Sequence, residues 1–209
     1  MNDTLAYIFR HQIVAILRGY TVSEVVNIAE AMADGGIRCL EVTLNSPDAA
    51  ESINQLSKQL GGRMLIGAGT VLDEADLQVA LDAGAKFIVS PHTNAALIER
   101  TRKQGVVSIP GAFTPTEVVQ AYKAGGQLIK IFPSSLGVSY IKELRAPLNN
   151  IPLMPTGGIN AGNIQEFKKA GAHAFGIGSA LLPGKGRVDD SFLAKVRQLS
   201  EELVNALIG

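Results

Sequence analysis

Apolar residues gather in short runs, separated by longer stretches in which they recur at helical spacing. The runs are IVAIL at 13–17, CLEVTL at 39–44, MLIGAG at 64–69, FIVSP at 87–91, VVSIPG at 106–111, LIKIFP at 128–133, PLMPTGG at 152–158 and AFGIGS at 174–179. Runs of this length, punctuated by glycine and proline, read as buried strands, so eight strands are predicted. Between them VSEVVNIAEAMADGG, EADLQVALDAGA, NAALIERTRKQG, TPTEVVQAYKAGG and NIQEFKKAGA place apolar residues three and four apart, as helices with one buried face do. Each closes on a glycine (Gly35, Gly84, Gly105, Gly125 or Gly171) that is expected to stop the helix in the left-handed conformation.

The resulting order of helix, glycine and strand repeats every ~20 to 25 residues, a weak βα period and not a solenoid signature. Parallel strands with helical crossovers follow from that alternation, and eight such units close most naturally into a (β/α)8 TIM barrel. An open doubly wound sheet is the other architecture the alternation permits. No linker or compositional break divides residues 1–209, so a single α/β domain is expected.

Composition narrows the classes of function. Lys plus Arg and Asp plus Glu number 19 each, which leaves no net field for nucleic acid or an anionic membrane. Cys39 is the single cysteine and lies in an apolar run, where a packed thiol is the ordinary role. The amino end is interrupted by Asn2, Asp3, Arg10 and His11 and lacks the long apolar block of a signal or membrane segment. A soluble cytoplasmic protein is expected.

The chemistry begins with a lysine inside a strand. Side chains along a strand alternate, so in QLIKIFP Ile129 and Ile131 face one way and Leu128, Lys130 and Phe132 the other. If the β-branched pair meets the helices, Lys130 faces the barrel interior. The same parity in RCLEVTL sends Cys39, Glu41 and Thr43 inward, and strands two and six contribute to a common layer. An acid and an amine are thus expected to meet in a nearly dry lumen. A buried salt bridge, or a lysine stem reaching past the strand end to water, explains the pair without function. Yet apolar replacements of such pairs are often as stable, so function supplies a further reason for them. Desolvation disfavours the charged form of an amine, a neutral amine can attack a ketone to form an imine, and a carboxyl beside it can move the protons. These are the requirements of a Schiff-base aldolase.

Loops after the strands add binding groups. PTGGI and GIGSA follow strands seven and eight, where barrels commonly hold phosphate, so Gly157, Gly158, Gly178 and Ser179 are candidates for an anion cradle. Thr70 after strand three is a candidate donor to a carboxylate, Pro91 after strand four an apolar wall, and Arg18 after strand one a fork for a carboxylate or phosphate. Phe132, on the face of Lys130, joins them as a substrate contact. Each also has a bland role as a cap, a turn or a surface charge. His11, His92 and His173 are scattered and form no metal-ligand spacing, and GAGTV lacks the second half of a dinucleotide fingerprint. Neither a metal nor a cofactor is expected.

The ordered set AILRG, GGIRCLEVTLNSP, IGAGTV, FIVSPH, PGAFTPTE, IKIFPSS, PTGGIN and GIGSALL spans residues 13–182. It resembles the class I 2-keto-3-deoxy-6-phosphogluconate and 4-hydroxy-2-oxoglutarate aldolase family. The resemblance implies that Lys130 forms a Schiff base with pyruvate, Glu41 is the general acid and base, and Thr70 and Pro91 contact the pyruvyl part. It further implies that Gly157, Gly158 and Ser179 hold the distal phosphate of a phosphorylated keto acid, that Arg18 binds the substrate's acidic groups, and that the protein is a homotrimer. Asn45 stands where some phosphogluconate aldolases carry an arginine, and LNSP and KIFPSS also resemble the phosphogalactonate aldolases, so the substrate configuration stays open. An isomerase or epimerase with Glu41 as base and Lys130 as a charge, and a sugar-phosphate-binding protein without turnover, are the other classes.

Overall fold

A computed structural model describes residues 3–184 and 186–208. The first half runs α1 Asp3–His11, β1 Ile13–Leu17, α2 Val22–Asp34, β2 Cys39–Thr43, α3 Ala49–Leu60, β3 Leu65–Gly69, α4 Glu74–Asp82 and β4 Phe87–Val89. It continues with α5 Ala95–Lys103, β5 Val107–Ile109, β6 Gly111–Ala112, α6 Pro115–Lys123, β7 Ile129–Ile131, α7 Gly137–Arg145, β8 Leu153–Pro155, α8 Ile164–Lys169, β9 Phe175–Ile177 and α9 Asp190–Ile208. All five helices read from the sequence form, and α6 shows why. Thr114 caps it, with its Oγ1 accepting from Glu117 N at 3.3 Å, while the Glu117 carboxylate accepts from Thr114 N at 2.7 Å and Pro115 opens the first turn.

The fold is α/β with a curled, parallel sheet. Strands assemble in two groups, a six-stranded sheet in the order β5-β4-β3-β2-β1-β9 and a three-stranded sheet in the order β6-β7-β8. The fully closed eight-stranded sheet expected from the sequence is thus met only in part. The fifth expected strand, residues 106–111, is cut by Pro110 into β5 and β6, because proline has no N–H to give to a ladder. Its carbonyl still accepts from Lys130 N at 2.9 Å, and an isolated parallel bridge joins Thr156 to Gly176 at the other edge. The doubly wound alternative fails, since the first strand pairs with the last and no reversal point lies between β5 and β1.

Alternation along the strands sorts apolar residues into two cores. Leu40, Val42, Ile66, Ala68, Ile88, Ile129, Ile131 and Leu153 pack outward under the helices. Val14, Cys39, Phe87, Val89, Val107, Ile109, Leu128, Met154 and Ala174 face inward, and Leu5 and Ile8 of α1 pack into that inner cluster. Burial pushes the Cys39 thiol up to about 12, so it is an inert part of this core.

One glycine behaves differently from expectation. Gly84, Gly105, Gly125 and Gly171 have φ of +94°, +75°, +106° and +97°, as left-handed helix stops should. After α2 that role falls to Gly36, at φ +94°, whereas Gly35 keeps φ −78°. Gly35 serves packing instead: a β-carbon there would lie 2.5 Å from Ser200 Cβ and 2.6 Å from the Arg197 carbonyl of α9.

Candidate active site

Both members of the expected pair point inward. Lys130 Nζ lies 3.9 Å from Glu41 Oε1, and the two side chains are 7% and 1% exposed. That separation is an ion-pair contact but too long for a hydrogen bond. Among the described residues neither Glu41 oxygen has a hydrogen-bond partner. Burial raises the carboxyl's proton affinity above the ordinary glutamate range, while the charges of Lys130 and then Arg18 oppose the shift. A carboxyl so placed can carry a proton at higher pH than an exposed one, next to an amine able to act as a nucleophile.

Strand pairing fixes where the two residues stand. In register, Glu41 lies between Ile16 of β1 and Gly67 of β3, and Lys130 lies between Gly111 of β6 and Met154 of β8. Lys130 Nζ also stands 5.2 Å from the Phe132 ring centroid, a cation–π contact, and Phe132 itself is 40% exposed at the mouth.

The remaining sequence-derived candidates follow the carboxyl ends of strands. Arg18 directly follows β1 and donates from Nη2 to Thr70 Oγ1 at 3.4 Å. Thr70 directly follows β3 with φ +56°, which is unusual for a β-branched residue. Pro91 is half-buried just beyond β4, its backbone tight against Gly111. Gly157 and Gly158, at φ +104° and +76°, form an exposed turn after β8, conformations that residues with a side chain avoid. Gly178 and Ser179 follow β9, and Ser179 begins a short 3-10 helix, Ser179–Leu181. A pocket of about 360 Å³ brings Arg18, Gly178 and Ser179 together with Ile16, Tyr20, Leu182 and Gly184. Lys130 and Glu41, both buried, do not line it.

Two residues were not singled out from the sequence. Buried Ser46 accepts from Gly19 N at 2.9 Å and lies 3.0 Å from Thr43 Oγ1, tying the Arg18 loop to the strand that carries Glu41. Tyr20 walls the pocket beside Arg18. The available signal for Ser46 was a hydroxyl just past the end of a strand, where barrel sites concentrate.

Residues 6–199 match the model of the family described as "Aldolase: KDPG and KHG aldolase". The chain belongs to the KDPG and KHG aldolase family. It is therefore an aldolase, a carbon–carbon lyase of the class I type expected from the sequence. Among curated members of the KDPG and KHG aldolase family, the probable 2-dehydro-3-deoxy-6-phosphogalactonate aldolase of Rhizobium meliloti (strain 1021) is 38% identical over 180 residues, covering 85% of each chain. The 2-dehydro-3-deoxy-phosphogluconate aldolase of Treponema pallidum (strain Nichols) is 36% identical over 160 residues, 76% of each chain. Among solved structures, KDPG aldolase from Legionella pneumophila, with pyruvate captured at low pH as a covalent carbinolamine intermediate, superposes with a TM-score of 0.87 at 26% identity. That match covers 96% of this chain and 97% of the other.

Proposed function

We propose that this aldolase cleaves a 2-keto-3-deoxy-6-phosphohexonate to pyruvate and glyceraldehyde 3-phosphate through a Schiff base on Lys130. The observation that carries the reading is the Lys130–Glu41 pair, an amine 3.9 Å from a buried carboxyl that has no hydrogen bond among the described residues. Lys130 Nζ adds to the C2 ketone, and loss of water from the carbinolamine gives an iminium. Glu41 takes the proton of the C4 hydroxyl as the C3–C4 bond breaks, and the bonding electrons pass into the iminium to leave an enamine. Protonation at C3 and hydrolysis release pyruvate and restore the amine. The carbinolamine captured in the Legionella relative supports the covalent step. Thr70 and Pro91 contact the pyruvyl part and Phe132 covers Lys130. Gly157, Gly158, Gly178 and Ser179 hold the phosphate, and Arg18 holds an acidic group of the substrate.

The family resemblance puts the gluconate configuration first and adds 4-hydroxy-2-oxoglutarate as a further substrate. The galacto configuration gains support from the Rhizobium relative and from Asn45, which lies exposed after β2 in place of an arginine. Comparing pyruvate release from the two epimers decides between them. Further elements of the reading are one domain over residues 1–209 whose two sheets close into a (β/α)8 barrel through Pro110 and the Thr156–Gly176 bridge, a homotrimer, and a cytoplasmic location.

Incubation with pyruvate and borohydride should leave a reduced pyruvyl adduct on Lys130. Lys130→Arg should abolish it; an electrostatic lysine in an isomerase would survive that change in part. A folded, active protein that forms no adduct at Lys130 overturns the covalent route.

A further inference from the structure

The inward positions of β3 are Leu65, Gly67 and Gly69, while Ile66 and Ala68 pack outward. Each glycine is matched by a side chain from a neighbouring strand. At Gly67 the space is taken by the Phe87 ring, which a β-carbon would meet at 2.5 Å. At Gly69 the occupant is the Glu41 carboxyl group. A β-carbon on Gly69 would lie 2.7 Å from Glu41 Oε1 and 2.9 Å from its Cδ, with Thr43 Cγ2 next at 3.3 Å. Gly69 does not have a positive φ, so its backbone accepts any residue and the need for glycine there is steric.

Glu41 has little else to hold it. Neither carboxyl oxygen has a hydrogen-bond partner among the described residues, and Lys130 Nζ is 3.9 Å away. Where the carboxylate sits is therefore decided by the shape of the wall behind it.

We propose that Gly69 is a positioning residue for Glu41: its missing side chain forms the notch that sets where the carboxyl group stands relative to Lys130 and the bound substrate. The inference rests on the reading of Glu41 as the proton shuttle. Ordinary contact with a β-carbon begins at 3.4 Å, so alanine at position 69 drives the carboxyl group out of the notch. The group that must give way is the end of a flexible side chain, so the fold absorbs the change while the proton transfer does not. A misplacement of about 1 Å is enough to cost ~100-fold in rate.

The test compares the full-length protein with Gly69→Ala, Glu41→Gln, Glu41→Ala and the Glu41→Ala/Gly69→Ala double variant. For each, three quantities are measured: melting temperature, borohydride trapping of pyruvate on Lys130, and exchange of pyruvate methyl protons in heavy water. Gly69→Ala is expected to melt within a few degrees of the parent and to trap pyruvate within ~3-fold, while exchange and kcat fall ~100-fold with KM nearly unchanged. In the Glu41→Ala background the same alanine should cost less than ~2-fold, because the residue through which Gly69 acts is gone. A folded Gly69→Ala protein that exchanges within ~3-fold of the parent overturns the inference, as does an equal loss in both backgrounds. Failure of the double variant to fold where Glu41→Ala alone folds also overturns it, since the alanine then clashes with something other than Glu41. Exchange unchanged in Glu41→Gln would instead overturn the role of Glu41 itself, and the inference with it.

Discussion

Glu41 shows how a single buried group couples stability to chemistry. Its proton affinity is raised chiefly by loss of water, so the folded state holds the proton to higher pH than the unfolded chain. Between the ordinary glutamate value and the raised one, the native protein binds more protons than the unfolded chain. Its contribution to stability is fully present below the ordinary value and is lost as pH rises through the raised one. Glu41→Gln cannot titrate and should flatten that decline in urea midpoints across the window, while pyruvate proton exchange drops ~10²–10⁴-fold. An unaltered pH slope would locate the titration elsewhere. Thr70 makes a different point, since φ +56° strains a β-branched residue beside the proposed carboxylate site. Thr70→Gly removes strain of ~1 kcal/mol but adds freedom to the unfolded chain, so melting should move by no more than ~3 °C. Loss of the hydroxyl that meets Arg18 should raise KM ~3–10-fold, and an unchanged KM would remove Thr70 from the binding site.

Among the elements, α9 packs closely on the end of α2 at Gly35. Gly35 keeps an ordinary φ, and its would-be β-carbon meets Ser200 and the Arg197 backbone, which cannot easily yield. Gly35→Ala should therefore destabilise by ~1–3 kcal/mol in urea unfolding, an overpacking cost without a backbone cost. The contrast with Gly69, where a mobile carboxyl group is the obstacle, predicts a stability phenotype at position 35 and a catalytic one at position 69. Helix α1 fills the inner core from outside the strands: Ile8 is fully buried there beside Leu5. Ile8→Ala should cost ~2–5 kcal/mol, because the cavity forms in the cluster shared by most of the strands. A loss under ~1 kcal/mol would show that the inner core does not depend on this helix. Nothing in the sequence marks α1 for this role, because its apolar stripe is short.

At the scale of the molecule, two nested apolar layers follow from one rule, the alternation of side chains along parallel strands. The same rule places Lys130 and Glu41 in the inner layer, so fold and candidate site share a cause. Nothing in a chain with balanced charge specifies how many copies assemble; the homotrimer comes from family resemblance alone. Light scattering should return a mass three times that of the chain, and a single-chain mass would remove the trimer from the proposal.

Periodicity in the chain suffices for the βα order, the five helices with four of their glycine stops, and the parity that turns Lys130 and Glu41 inward, because each depends on neighbours within a few residues. Pro110 was visible as a proline, but that it divides one run between two sheets depends on which strands lie on either side. Gly35 is the stop that the sequence suggests after α2, yet the left-handed residue is Gly36 and Gly35 lies against α9, a helix at the far end of the chain. Ser46 meets Gly19 across 27 positions of sequence, and Gly69 seats a carboxyl group from the adjacent strand. Such contacts come from strand pairing and helix packing, and the 3.9 Å between amine and acid from the curl of the fold that brings β7 opposite β2; all of them join residues distant in the chain and leave no periodic trace in it.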